Sequence, residues 1–254
     1  MRWADGWAVE GFLNLQRPWL DTVAHDVAHL ADPLPFALFT VVLASIALYR
    51  GRPRHALAAI VLLVGASAVG QTLKVLLQHE RMHPFLGHTQ LDAISFPSGH
   101  ATASMSLAFA AVLVAPAAWR ALVAIAGAVF AVAVSESIML LAWHFPSDVV
   151  GGLLVATASA FMVIAALRAA DARWPERTGR EAARRAISNH DLARTAGVVA
   201  GLIVAALVGV AIAAGDRTLT YAGRHTTAVA AAVAVAAMAA ALPAAIAGLS
   251  ARRS

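Results

Sequence analysis

What most constrains this chain is a succession of long stretches free of Asp, Glu, Lys and Arg: residues 33–49, 55–73, 101–119, 149–167, 195–215 and 226–251. A seventh stretch, 121–143, is broken only by Glu136. The hydrocarbon core of a bilayer is about 30 Å thick and takes about 20 apolar helical residues to cross. Within it every backbone N–H and C=O must find a partner inside the protein, and a helix satisfies them within one segment. The pattern therefore predicts an all-α, polytopic transmembrane helix bundle of about seven spans. Composition agrees: 13% of the residues are charged and 60% hydrophobic, where a soluble domain carries about 25% charged residues. Disordered, fibrous and ordinary soluble classes are excluded. Cysteine is absent, which removes any disulfide frame or thiolate metal site.

Residues 1–32 carry Arg2, Asp5, Glu10, Arg17, Asp21, Asp26 and Asp32, too many charges for the bilayer centre. Phe12, Leu15, Trp19, Val23, Val27 and Leu30 recur every three or four positions, as on one apolar helix face. With Trp3 and Trp7 as interfacial aromatics, the segment reads as an N-terminal amphipathic helix lying in the membrane surface. Its basic start is not followed by an uninterrupted apolar run, so it lacks the layout of a cleavable signal peptide. The rest divides into a five-span core over 33–168, a basic linker over 169–194 and two further spans within 195–254.

Arginine placement sets the expected orientation. Arg50, Arg52, Arg54, Arg120, the seven arginines between Arg168 and Arg194, and Arg252 and Arg253 all fall on one side of a seven-span chain. That side reads as the cytoplasm of an inner (plasma) membrane protein, with a cytoplasmic C-terminus. The net charge of +5 is then a statement about topology and not about nucleic acid.

Polar residues gather on the opposite, extracytoplasmic side, in the loops 78–100 and 143–148. Five of the ten histidines lie there: His79, His83, His88, His100 and His144. Lys74, the sole lysine, stands at the end of the second span, and Arg81 follows seven residues later. Two cations beside an interface fit an anion, and phosphate above others. Phe96-Pro97-Ser98-Gly99-His100 precedes the third span. Ser98 suits a helix cap, and the first turn beyond it offers free N–H groups to an anion. In His144-Phe145-Pro146-Ser147-Asp148, the carboxylate four residues after the histidine can accept the imidazole Nδ1–H, leaving Nε2 as nucleophile or base. Taken alone, these also fit a snorkelling lysine, an ordinary turn and an interfacial histidine beside Trp143.

Together, Lys74 with Arg81, Pro97-Ser98-Gly99-His100, and Ser137 followed by His144 and Asp148 resemble the three signatures of the type 2 phosphatidic acid phosphatase superfamily, over about residues 10–168. The resemblance implies a metal-independent membrane phosphatase or phosphotransferase that needs no cofactor and acts on lipid phosphates or diphosphates, of the undecaprenyl diphosphate or phospholipid type. By resemblance His144 attacks phosphorus and becomes a phosphohistidine, Asp148 orients it, and His100 protonates the leaving oxygen. Lys74, Arg81, Ser98 and Gly99 hold the phosphoryl oxygens.

Two positions depart from the signatures. Met82 and His83 stand between Arg81 and Pro84, where proline follows arginine directly in the family. Ile138 occupies the place of an arginine after Ser137. An oxyanion stabiliser is worth about 3–4 kcal/mol, so its loss is costly unless something replaces it, the candidates being His79, His83 and Arg224. Glu136 either pairs with Lys74 or a histidine or points away from the pocket. Two other readings remain at this stage: a lipid-phosphate-binding or scaffold protein whose chemistry was lost with the arginine, and a transporter.

Overall fold

Proline opens four of the helices. Lacking an N–H and fixed near helical φ, it suits the first helical position, where the N–H would have no partner. Pro18, Pro33, Pro53 and Pro146 all stand there. The computed structural model describes residues 2–77, 86, 95–174 and 215–251. Its helices are α1 (Arg2–Leu13), α2 (Pro18–His29), α3 (Pro33–Tyr49), α4 (Pro53–Leu76), α5 (Gly99–Val114), α6 (Arg120–Leu140), α7 (Pro146–Arg173), α8 (Gly215–Arg224) and α9 (Thr226–Ala251). A 3-10 turn, Ala117–Trp119, leads into α6. No strand occurs among the described residues.

The centre of the bundle is α5, which packs against α3, α4, α6, α7 and α9. Its sequence explains the position. Ala101, Ala103, Ser104, Ser106, Ala108 and Ala110 are all buried, and small side chains are what let helices approach closely in a membrane, where lipid is as apolar as leucine. At Gly127 of α6 the approach is so close that a Cβ would lie 2.8 Å from the Ala108 Cβ. The outer helices show the reverse pattern. Leu34, Leu38, Val41, Leu57, Val61, Val64, Leu154 and Met162 are at least half exposed, an apolar belt suited to lipid.

Among the described residues, α4, the stretch Ala117–Leu140, α7 and α9 are long and apolar enough to cross a membrane. The bent pair of α2 and α3 qualifies as one broken span, with a 47° bend, and α5 is a shorter apolar helix. The chain is an integral membrane protein of helices. The third expected span ends early, at Val114. Ala115 is extended (ψ 144°) because the residue before a proline, here Pro116, is pushed out of the helical region. The stretch 195–214 and most of the expected linker lie outside the described residues; α7 carries the start of that linker as helix to Arg173.

The N-terminal segment is two helices where the periodicity predicts one. The chain breaks over 14–17, ahead of Pro18, since a mid-helix proline would forfeit a hydrogen bond and clash with the preceding turn. The predicted apolar face is divided accordingly. Phe12 is buried with Ala8 and Val9, and Gly11 of α1 meets Ala228 of α9. Trp19 and Val23 of α2 and Leu30 just beyond it remain exposed, while Ala24 and Ala28 take the buried side.

Candidate active site

The loop before α5 and the start of α7 are joined by backbone. The Ser98 N–H donates to the Asp148 carbonyl at 2.9 Å. Thr102 Oγ1 donates to the Ser98 carbonyl at 2.8 Å and reaches the Gly152 carbonyl at 3.3 Å. Glycine makes this possible: a Cβ on Gly152 would sit 2.5 Å from the Ser98 carbonyl oxygen and 3.1 Å from the Thr102 nitrogen. Ser98 caps α5 as expected, its side chain accepting from the Ala101 N–H at 3.3 Å. The N–H groups of Gly99 and His100 then have no carbonyl within the helix to bond. Lys74 comes to the same place, with Nζ 3.9 Å from where a Gly99 Cβ would stand.

His144 is delivered by the turn that ends α6. The Trp143 N–H bonds the Ile138 carbonyl and the Ala142 N–H the Met139 carbonyl, the paired bonds of a Schellman ending. Ala142 holds the left-handed position, φ 54°, which glycine usually occupies. The chain reverses there and points Trp143 and His144 toward the α5 N-terminus. Asp148, wholly buried, accepts the Phe145 N–H through Oδ2 at 3.1 Å. The same oxygen lies 3.5 Å from His144 Nδ1. This is ion-pair distance without hydrogen-bond alignment; catalytic hydrogen bonds often tighten only once substrate is present. Asp5 of α1 steadies the segment by accepting from Ser147 N at 3.2 Å and Ser147 Oγ at 2.8 Å.

The His100 and His144 rings meet edge to face, with centroids 6.4 Å apart and 62° between their planes. Lys74, Ser98, Gly99, His100, His144 and Asp148, read from three separate segments, therefore meet in one place. Arg81 lies outside the described residues, as do His79 and His83. Arg224, the third candidate substitute, is exposed on α8, where Tyr221 bonds the Gly11 carbonyl of α1, and among the described residues no contact joins it to the two histidines. Ile138 is fully buried in the apolar core with Met139, Val149 and Leu153. Glu136 Oε1 is buried without a hydrogen bond, so this carboxylate oxygen is not engaged with Lys74 or a histidine.

Sequence reasoning missed one wall of this site. Asp32, between α2 and α3, holds His29 Nδ1 at 2.7 Å through Oδ2 and His100 Nε2 at 3.0 Å through Oδ1. Trp143 is ringed by His25, His29 and His100, at centroid distances of 5.2, 6.0 and 5.6 Å. The available signal was the spacing of His25, His29 and Asp32 at i, i+4 and i+7, which is one helix face.

Comparison with known proteins bears on this arrangement. No curated protein matches the chain. Its fold is similar to that of the transmembrane PAP2 type phosphatidylglycerolphosphate phosphatase from Bacillus subtilis, with 23% identity, 69% of this chain and 88% of that one covered, and a TM-score of 0.55. The PAP2 superfamily model matches residues 55–172. That segment holds Lys74, the Ser98–His100 helix start and the His144–Asp148 turn, and over it the chain is similar to the PAP2 superfamily.

Proposed function

We propose that this protein is a membrane phosphatase that hydrolyses a lipid phosphate or diphosphate, with the residues above in the roles the resemblance implies. The observation that carries the reading is the meeting of the His144–Asp148 pair with His100 at the N-terminus of α5, beside Lys74. His144 Nε2 attacks phosphorus as the bond from phosphorus to the leaving oxygen breaks, and that bond's electron pair departs with the oxygen. His100, protonated, gives its proton to that oxygen. Asp148 orients the attacking ring and balances the charge it gains. The α5 amides, Ser98 and Lys74 hold the phosphoryl oxygens, as a helix start and a cation do for anions, with Arg81 proposed beside them. Water then attacks the phosphohistidine, His100 accepts its proton, and phosphate leaves. The reaction closes without a metal or other cofactor. In this reading the site faces the extracytoplasmic side and the arginine-rich ends face the cytoplasm.

The test is phosphate release from a lipid monophosphate and a lipid diphosphate by purified protein in detergent, with chelator present. Turnover that survives chelation and disappears in His144→Ala is expected. Equal rates for the two proteins would reject the reading.

A further inference from the structure

We propose that Asp32 is a positioning residue that holds His100 for proton transfer, so that α2 and its turn into α3 form the leaving-group wall of the site. The inference rests on the phosphatase reading above. It is argued from four observations.

First, Asp32 and His100 are 68 positions apart, yet Asp32 Oδ1 meets His100 Nε2 at 3.0 Å. A carboxylate on one ring nitrogen fixes the tautomer and leaves the other for chemistry. Here Nε2–H goes to Asp32, and Nδ1 is left as the nitrogen that gives or takes a proton. Second, the other histidine is paired through the opposite atom, with Nδ1 toward Asp148 and Nε2 left over. The two rings thus leave different nitrogens free, Nδ1 on His100 and Nε2 on His144. Third, Asp32 is itself held. Its second oxygen takes His29 Nδ1 at 2.7 Å, and the ring of His29 packs against Trp143, which also packs on His100. Fourth, the surroundings leave Asp32 as the carboxylate at His100 among the described residues. Asp148 is committed to the His144 side, Glu136 Oε1 bonds nothing, and α9 carries no titratable side chain.

In the step assigned to it, His100 starts as imidazolium. The Nδ1 proton passes to the leaving alkoxide oxygen as the bond from phosphorus to oxygen breaks. Asp32 keeps the Nε2–H throughout and is never protonated, so it acts only through His100.

The experiment compares two substrates on the intact protein in detergent: a long-chain alkyl phosphate, whose alkoxide needs a proton to leave, and para-nitrophenyl phosphate, whose phenolate leaves without one. General acid help is worth about 10²–10⁴-fold. Asp32→Asn is expected to lower kcat/KM at least about tenfold more on the alkyl phosphate than on the aryl one, and to add no further loss in a His100→Ala background. An equal fall on both substrates would mark Asp32 as merely structural, and no fall on either would remove it from the site; both outcomes overturn the proposal. If Asp32→Asn does not fold, Asp32→Glu carries the same comparison, since the charge is kept and the aim altered. Failure of the phosphatase reading looks different: the unmodified protein would then turn over neither substrate.

Discussion

The Ser98 amide and the Asp148 carbonyl, 50 positions apart in sequence, share a hydrogen bond of 2.9 Å. That bond sets the helix start that carries His100 against the helix start that carries Asp148. It also places the anion-binding end of α5 beside the His144 turn. The two signatures are therefore one object, and the close contact at Gly152 is what lets them join.

Gly152→Ala should break that junction. The added methyl would meet the Ser98 carbonyl oxygen at 2.5 Å and the Thr102 nitrogen at 3.1 Å, both backbone atoms that cannot swing aside. Overpacking of this kind costs about 1–3 kcal/mol. A lower melting temperature in detergent and reduced turnover are expected. Gly65→Ala, where a Cβ meets open space, is the control and should leave both unchanged.

Asp148→Asn should leave the fold largely intact, because the amide oxygen can still accept the Phe145 N–H that Asp148 now takes at 3.1 Å. It removes the charge opposite His144. Replacing the orienting aspartate of a histidine-dependent enzyme can cost about 10⁴-fold in kcat. Single-turnover rates measured beside melting curves separate this loss from one of stability.

Ala142 sits at φ 54°, in a region that costs a residue with a Cβ about 1–2 kcal/mol. Ala142→Gly is expected to keep or raise the melting temperature and to preserve activity. Ala142→Val should lower both, since a β-branched side chain is least tolerant there. Identical melting curves for the two variants would contradict the assignment of this turn.

Much of this was legible beforehand. The membrane class and the approximate starts of most helices follow from charge-free stretches and prolines. That Lys74, Ser98, His100, His144 and Asp148 share one site was expected from the resemblance of their motifs to the family signatures. Asp32 was not legible, because a carboxylate in a charged N-terminal segment reads as a reason not to enter the membrane. Its partner His100 is fixed by tertiary packing across 68 positions, which no local pattern encodes. The break before Pro18 was visible in the chain but was overridden by a periodicity that continued across it. The replacement of arginine by Ile138 could be seen in sequence. That the position is closed into the core with Met139 and Leu153 required the packing of α6 on α5 and α9.

The most direct test of the central claim is to mix the protein with a lipid phosphate labelled with ³²P, quench in base and isolate the labelled chain. The account predicts a base-stable, acid-labile phosphohistidine mapped to residue 144, absent in His144→Ala and accumulated when the second step is slowed. Label that persists in His144→Ala, or turnover with no label trapped at that position, would contradict it.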